Sequence, residues 1–232
     1  MIKHFLARLA PQGPKNYFWR SLMSFIGVTI QAIGATLLLI ADLGMDPYSA
    51  TNVGLAKLFQ ISLGTYQLSV NFVILIFVFI MARKLIGTGT IFNMVLIGYY
   101  IQLFNWLYKL ILPGPTTLIT KILVAVIGLL IFTFGVAAYI TADTGVAPYD
   151  AITPILVTLT HGKYRIIRIT QDVLFTLGAY FVGGPVGIVT IIVAFFTGPL
   201  IVFWDQRLQS LINWIDLKTA LPINNSSSEE YE

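Results

Sequence analysis

The 232-residue chain has no cysteine, only two histidines, and charged side chains at only 10% of its positions. Without cysteine there is no disulfide, no thiolate nucleophile and no thiolate metal site, and the redox compartment leaves no mark on the sequence. His4 and His161 lie far apart and show no metal-ligand spacing. No His-Glu-x-x-His zinc motif, phosphate-binding Gly-rich loop ending in Lys, or Ser nucleophile elbow occurs. The expectation is a protein that is not an enzyme and needs no cofactor or metal. The scarcity of charge also argues against an ordinary soluble domain, where about a quarter of residues are charged.

What fills the chain is apolar: 57% of residues are hydrophobic, and the mean hydropathy is +0.84. Six apolar stretches run from Ser21 to Ala41, Tyr66 to Ala82, Thr88 to Tyr108, Ile122 to Thr141, Ile166 to Phe181 and Val186 to Trp204. Most approach the ~20 residues that a helix needs to cross a bilayer, so the class is an all-α polytopic membrane protein with six transmembrane helices. Residues 1–20 form a basic cytoplasmic N-terminus ahead of a retained first span, because no small-residue cleavage site precedes Asp42. Residues 21–108 and 122–204 form two membrane units joined by an external linker at 109–121. At 205–221, Leu208, Leu211, Ile212 and Ile215 recur at helical spacing, which predicts an amphipathic interfacial helix. Residues 222–232, rich in Asn, Ser and Glu, are expected to be disordered.

Positive charge sets the orientation. With a cytoplasmic N-terminus, Lys3, Arg8, Lys15, Arg20, Arg83, Lys84, Lys163, Arg165, Arg168, Arg207 and Lys218 fall inside, and only Lys57, Lys109 and Lys121 outside. Both termini are then cytoplasmic. The basic side chains serve topology, and no nucleic-acid partner is implied.

The chain also repeats itself. Ala41-Asp42-Leu43-Gly44-Met45-Asp46-Pro47-Tyr48-Ser49-Ala50 returns 101 residues later as Ala142-Asp143-Thr144-Gly145-Val146-Ala147-Pro148-Tyr149-Asp150-Ala151. At the same offset Gly27 matches Gly128, and Gly34 matches Gly135. At offset 100, Gly87 matches Gly187, Thr90 matches Thr190, and Gly98 matches Gly198. Three spans per unit is an odd number, so the second unit enters the membrane from the opposite side and the repeats are inverted. After each motif comes a segment too short and polar to span, Pro47 to Gln60 and Pro148 to Thr160. Each is expected to be a short helix starting at its proline, where the missing N–H costs nothing, either re-entrant or lying at the interface.

The candidate site residues follow from polarity in this apolar setting. Asp42 and Asp143 end the first and fourth spans, either as local caps or in contact with a solute or proton. Asp46 is expected to cap the first short helix, a part its counterpart Ala147 cannot play, while Asp150 stands in the first turn of the second. Tyr48 and Tyr149 are either interfacial anchors or lining of a cavity, and Asn52 adds polarity to the first short helix. Arg168 and Asp172 share a helix face and align with Gln67 and Asn71, either as a snorkelling pair or as part of a solute path. Gly44 and Gly145, with Pro47 and Pro148, are read as structural helix breaks.

The paired Gly-x-x-Pro-Tyr breaks, Gly64-Thr65-Tyr66-Gln67, Gly87-Thr88-Gly89-Thr90, Arg168-x-x-x-Asp172 and Gly183-Gly184-Pro185-Val186-Gly187 together resemble the YczE/YyaS/YitT-type bacterial integral membrane proteins over about Gly27 to Ile201. The resemblance implies a multi-pass protein of the bacterial cytoplasmic membrane and supplies no substrate. Tyr48 and Tyr149 stand where that family suggests Trp or Arg, and Asp172 where Glu is more usual. The function expected is a small-solute transporter working by alternating access, whose partners are the lipid bilayer and a small solute with a proton or cation. The alternatives are a non-transporting membrane scaffold or regulatory partner and, more remotely, a hydrolase pairing Asp42 with Asp143.

Overall fold

The computed structural model describes residues 17–220, with side chains up to residue 214. Lys3, Arg8 and Lys15 of the basic N-terminus, the side chains of Ile215 and Lys218, and the tail at 222–232 lie outside the described residues. Within them are eight α-helices, one 3-10 turn and no strand. These are α1 (Tyr17–Ala41), α2 (Pro47–Leu58), α3 (Leu63–Ala82) continued by the turn Arg83–Leu85, α4 (Thr88–Ile111), α5 (Leu118–Thr141), α6 (Pro148–Thr160), α7 (Tyr164–Phe181) and α8 (Ile188–Ala220). The expected short helices α2 and α6 do start at their prolines. One boundary differs. α8 runs without interruption through Trp204 and Pro199, so the amphipathic stretch from 205 continues α8 instead of forming a separate helix, since no Gly or Pro near Trp204 ends the backbone ladder.

Four segments are long and apolar enough to cross a membrane: Tyr17–Ala41, Leu63–Leu85, Leu118–Thr141 and Ile188–Trp214. α4 and α7 fall outside that set; α4 carries Asn93, Gln102 and Asn105, and α7 carries Arg165, Arg168 and Asp172. The outer surface is largely apolar, and buried polar groups stand among an apolar core. Phe72, Val73, Phe79, Ile80, Leu118 and Ile119 are exposed, whereas Thr36, Asn52, Gln67, Asn71, Thr133 and Asp172 are buried. That distribution suits a solvent of lipid, where outward apolar side chains cost nothing and polar groups must find partners inside.

The centre is an antiparallel pair, α1 against α5, packed backbone to backbone. Gly27 faces Ala138 and Tyr139, Gly34 faces Phe132, Gly128 faces Leu37 and Leu38, and Gly135 faces Gln31. Small residues permit such an approach, which helices in lipid use in place of hydrophobic association. α4 lies along α1 and α3, α8 along α5, while α2 packs on α7 and α6 on α3.

Each long helix of the central pair ends in the same way. Asp42 and Gly44 adopt positive φ of 56° and 102°, and Asp143 and Gly145 adopt 55° and 103°. The short helices also end alike, at Gln60 (φ 58°) and His161 (φ 54°). Asp42 and Asp143 stand at opposite ends of the α1–α5 pair. Lys121 at the start of α5 reaches Asp42 at 2.9 Å, and Arg20 at the start of α1 donates to the carbonyl of Ala142 at 3.3 Å.

A Cβ at Gly135 would overlap the backbone of Gln31, whereas one at Gly114 meets nothing within 4 Å. Gly135→Leu is therefore expected to cost at least about 3 kcal/mol, the upper range for overpacking, and to lower the unfolding midpoint in detergent sharply. Gly114→Ala is expected to leave the midpoint unchanged.

Candidate functional site

Pro47 and Pro148 open α2 and α6, and their N-terminal turns meet in the interior. Asp46 caps α2, its Oδ2 accepting from the Ser49 N–H at 2.9 Å; Ala147 provides no side-chain cap to α6. One residue into each helix the tyrosines converge, with the rings of Tyr48 and Tyr149 stacked at 4.4 Å and 18° and Phe175 edge-on to both. Each hydroxyl then donates to the neighbouring long helix, Tyr48 to Asn71 Oδ1 at 2.5 Å and Tyr149 to Asp172 Oδ1 at 2.6 Å. The offset of 101 relates both the donors and the acceptors.

A guanidinium and its two carboxylates lie on one side of this stack. Arg168 donates through Nη1 to Asp150 Oδ1 at 2.9 Å and through Nε to Asp172 Oδ2 at 3.3 Å, with its guanidinium carbon 5.1 Å from the Tyr149 ring centre. The hydroxyl of Tyr139 donates to the other oxygen of Asp150. Gln171 secures the helix beneath, donating to the carbonyl of Tyr149 at 3.0 Å while its Oε1 accepts from Thr153 at 2.7 Å. Asp172 is 4% exposed, so its ionised form depends on Arg168 and Tyr149 for compensation. The counterparts of Tyr139, Asp150, Arg168 and Asp172 are Leu38, Ser49, Gln67 and Asn71. The same geometry is charged in one half and neutral in the other.

Two cavities meet these residues. A small one, about 60 Å³, lies among Gln31, Asp46, Tyr48, Gln67, Tyr149 and Arg168. A large one, about 960 Å³, lies between α5, α6, α7 and α8 and extends from Asp150, Arg168 and Asp172 to Asp143, Arg165 and Asp205. It exists because α7 and α8 touch at few points, whereas their counterparts α3 and α4 pack closely. There Gly98 lies against Gly64 and Gln67; its counterpart Gly198 lines the large cavity.

Of the residues singled out from sequence, Tyr48, Gln67, Asn71, Tyr149, Asp150, Arg168 and Asp172 come together. Asn52 is buried nearby on α2. Asp143 lines the far part of the large cavity. Asp42 stands apart with a side chain 76% exposed, paired to Lys121. Asp42 and Asp143 cannot serve as a carboxylate pair, because the helix between their positions places them roughly 30 Å apart. Sequence reasoning left out Tyr139, which sits in an apolar run, has Leu38 as its counterpart and carries no local signal of its partner. Asp46 was legible only as a cap.

Residues 18–206 match the family described as a family of unknown function, DUF6198. The chain belongs to this family. It is 29% identical over 191 residues to the uncharacterized membrane protein YczE of Bacillus subtilis (strain 168), covering 82% of this chain and 87% of that one. It is 29% identical over 179 residues to YyaS of the same organism, an uncharacterized protein, covering 76% and 87%, and 25% identical over 177 residues to an uncharacterized protein of Haemophilus influenzae (strain ATCC 51907 / DSM 11121 / KW20 / Rd), covering 76% and 79%. No solved structure matches. The DUF6198 match spans both helix breaks and every residue of the central cluster, and the likeness to the membrane protein YczE, the four long apolar helices and the apolar outer surface together make this a membrane protein in contact with lipid.

Arg168→Gln leaves Asp150 and Asp172 without their cation. It is expected to destabilise the protein by about 2 kcal/mol, below the 3–5 typical of fully buried pairs because Arg168 and Asp150 are partly exposed. The triple variant Arg168→Gln, Asp150→Ser, Asp172→Asn recreates the neutral chemistry of the other half and is expected to recover most of that loss in thermal melts.

Proposed function

We propose that this DUF6198 protein is a small-solute transporter of the bacterial cytoplasmic membrane, built from two inverted three-helix units. In this reading α1, α3, α4, α5, α7 and α8 are the six spans, both termini are cytoplasmic, and α2 and α6 are re-entrant helices meeting near the midplane. The cycle contains no catalytic step. The observation that carries the reading is an asymmetry between matched helix pairs. α7 and α8 stand apart around a cavity of about 960 Å³ that ends on the charged cluster, while α3 and α4 are closed on each other. Where two units share one backbone plan, exchanging these arrangements opens the opposite face around a fixed centre, which is alternating access.

Under this orientation the cavity with Asp143, Arg165 and Asp205 at its far end opens to the cytoplasm. Tyr48 and Tyr149 line the small cavity, which shares Asp150, Arg168 and Asp172 with the large one and borders Gln67 and Ile97 of the closed half. Asp143, Asp150, Asp172 and Asp205 outnumber Arg165 and Arg168 along a wall that is otherwise mainly apolar. This balance favours a solute carrying positive charge on an apolar body. An ionisable cluster deep in membrane helices is a functional site by default, since its desolvation serves no packing need.

The absence of cysteine makes the test direct, because any introduced thiol reports alone. Thr197 lines the large cavity, and its counterpart at offset 100, Ile97, is buried on the wall of the small one. In Thr197→Cys, a membrane-impermeant maleimide is expected to react from the cytoplasmic face only. In Ile97→Cys it is expected to react from the external face, more slowly, at the rate at which the second state is visited. Labelling of Thr197→Cys with none of Ile97→Cys from either face would make the cavity a fixed vestibule and end the proposal.

A further inference from the structure

The small cavity between the two short helices carries chemistry that the charged cluster does not use. Asp46 is 9% exposed. Its Oδ2 caps α2, but its Oδ1 is buried without a hydrogen-bond donor from the protein. Gln67 is 1% exposed, and its Oε1 is likewise buried without a donor. Both side chains line the same cavity of about 60 Å³, enough for an ion with about one water, given a share of roughly 30 Å³ per water in the liquid. Leaving a buried acceptor unmet costs about 1–3 kcal/mol, more for a charged group, and both of these side chains border one cavity; the buried amide nitrogens of Asn52 and Asn71 likewise lack acceptors.

We propose that this cavity is a binding site for a monovalent cation of sodium size, with Asp46 Oδ1 and Gln67 Oε1 as its protein ligands.

The comparison of the halves supplies the reason for a cation. The residue at offset 101 from Gln67 is Arg168, which supplies a fixed positive charge to the carboxylates Asp150 and Asp172. In the first half a neutral amide occupies that position, so Asp46 has no built-in counter-ion. Asp150 and Asp172 also border the cavity, and three carboxylates against one guanidinium leave the space formally negative. Both N-terminal turns add positive potential, but that of α2 is already met by Asp46 itself. One unpaired carboxylate with a neutral amide suits a single positive charge, whereas Ca²⁺ takes six to eight oxygens, several of them from carboxylates. The site stands on the chemistry of this cavity and does not rest on the transport reading.

The test is thermal unfolding of the full-length purified protein in NaCl against choline chloride at equal ionic strength. A saturable rise of roughly 3–5 °C specific to sodium is expected, the linkage produced by an ion well above its Kd. Asp46→Asn keeps a good N-cap while removing the charge, and Gln67→Met keeps the volume. Both are expected to lose the sodium response. Equal shifts in choline, a sodium shift surviving in Asp46→Asn, or stability that follows pH and ignores sodium would each overturn the site. Should the variants fail to fold, equilibrium binding of radiolabelled sodium to the wild-type protein decides, and no saturable binding overturns it. The thiol-labelling outcome is independent of all of these results.

Discussion

A helix that breaks inside a lipid-facing molecule exposes backbone groups that only protein can satisfy, and here the two breaks are satisfied reciprocally. The loop after α1 docks at the start of α8: Val189 N–H donates to the Leu43 carbonyl at 3.0 Å, and Met45 N–H to the Pro185 carbonyl at 3.3 Å. The loop after α5 docks at the start of α4, with Gly89 N–H donating to Thr144 and Val146 N–H to Leu85. Thr90 and Thr190 accept from the N–H groups of Gly87 and Gly187 and hold the receiving turns in shape. Gly44 and Gly145 face these same turns, where a Cβ would meet Thr190 Oγ1 at 2.5 Å and Thr90 Oγ1 at 2.6 Å. Each half thus completes the backbone of the other, and the short helices are aimed inward as a consequence.

This reciprocity separates what is fixed from what is free. The glycine-lined contact of α1 with α5 has backbone on both sides and no slack, so relative sliding there would create overlap. The splayed α7–α8 pair has no such constraint. Thr51 of α2 bonds the Phe175 carbonyl of α7 at 2.7 Å, and Ala50 and Gly54 lie against Gly184, so α7 is carried by a short helix from the other half. α7 thus rests chiefly on α2, and α3 on α4 and α6. The helix that carries Arg168 and Asp172 is therefore attached to the scaffold largely through short helices.

Much of this was legible in the residues. The apolar stretches mark α1, α3, α4, α5, α7 and α8 as helices, four of them within segments long and apolar enough to cross a membrane. Gly44, Gly145, Pro47 and Pro148 mark the breaks because their backbone requirements are local. The pairing of Arg168 with Asp172 follows from helical spacing alone. What the residues could not disclose is tertiary. Tyr139 becomes a partner of Asp150 only when α5 and α6 fold against each other, and Tyr48 reaches Tyr149 only when the two halves interlock. Asp42 and Asp143, equivalent in sequence, have different surroundings because only the second adjoins the open cavity. The continuity of α8 past Trp204 also escaped, since amphipathic spacing marks a change of environment and does not by itself end a helix.

The distribution of charge between the halves also has a physical logic. Had both halves kept an arginine and its carboxylates, the centre would hold fixed, mutually satisfied ion pairs on both sides of the tyrosine stack. Such pairs in low dielectric are hard to open, because removing one partner leaves the other uncompensated. Gln67 and Asn71 in place of Arg168 and Asp172 leave one side without such a pair, and the neutral hydrogen bond of Tyr48 to Asn71 keeps the geometry without the electrostatic cost. The charged side faces the larger cavity, where water can share the solvation of Arg168 and Asp150, both partly exposed. The buried carboxylate of Asp46, across the stack, has no fixed counter-charge at the position of Gln67. A centre so divided holds its charge firmly on the open side and conditionally on the closed one, the condition being what fills the space beside Asp46.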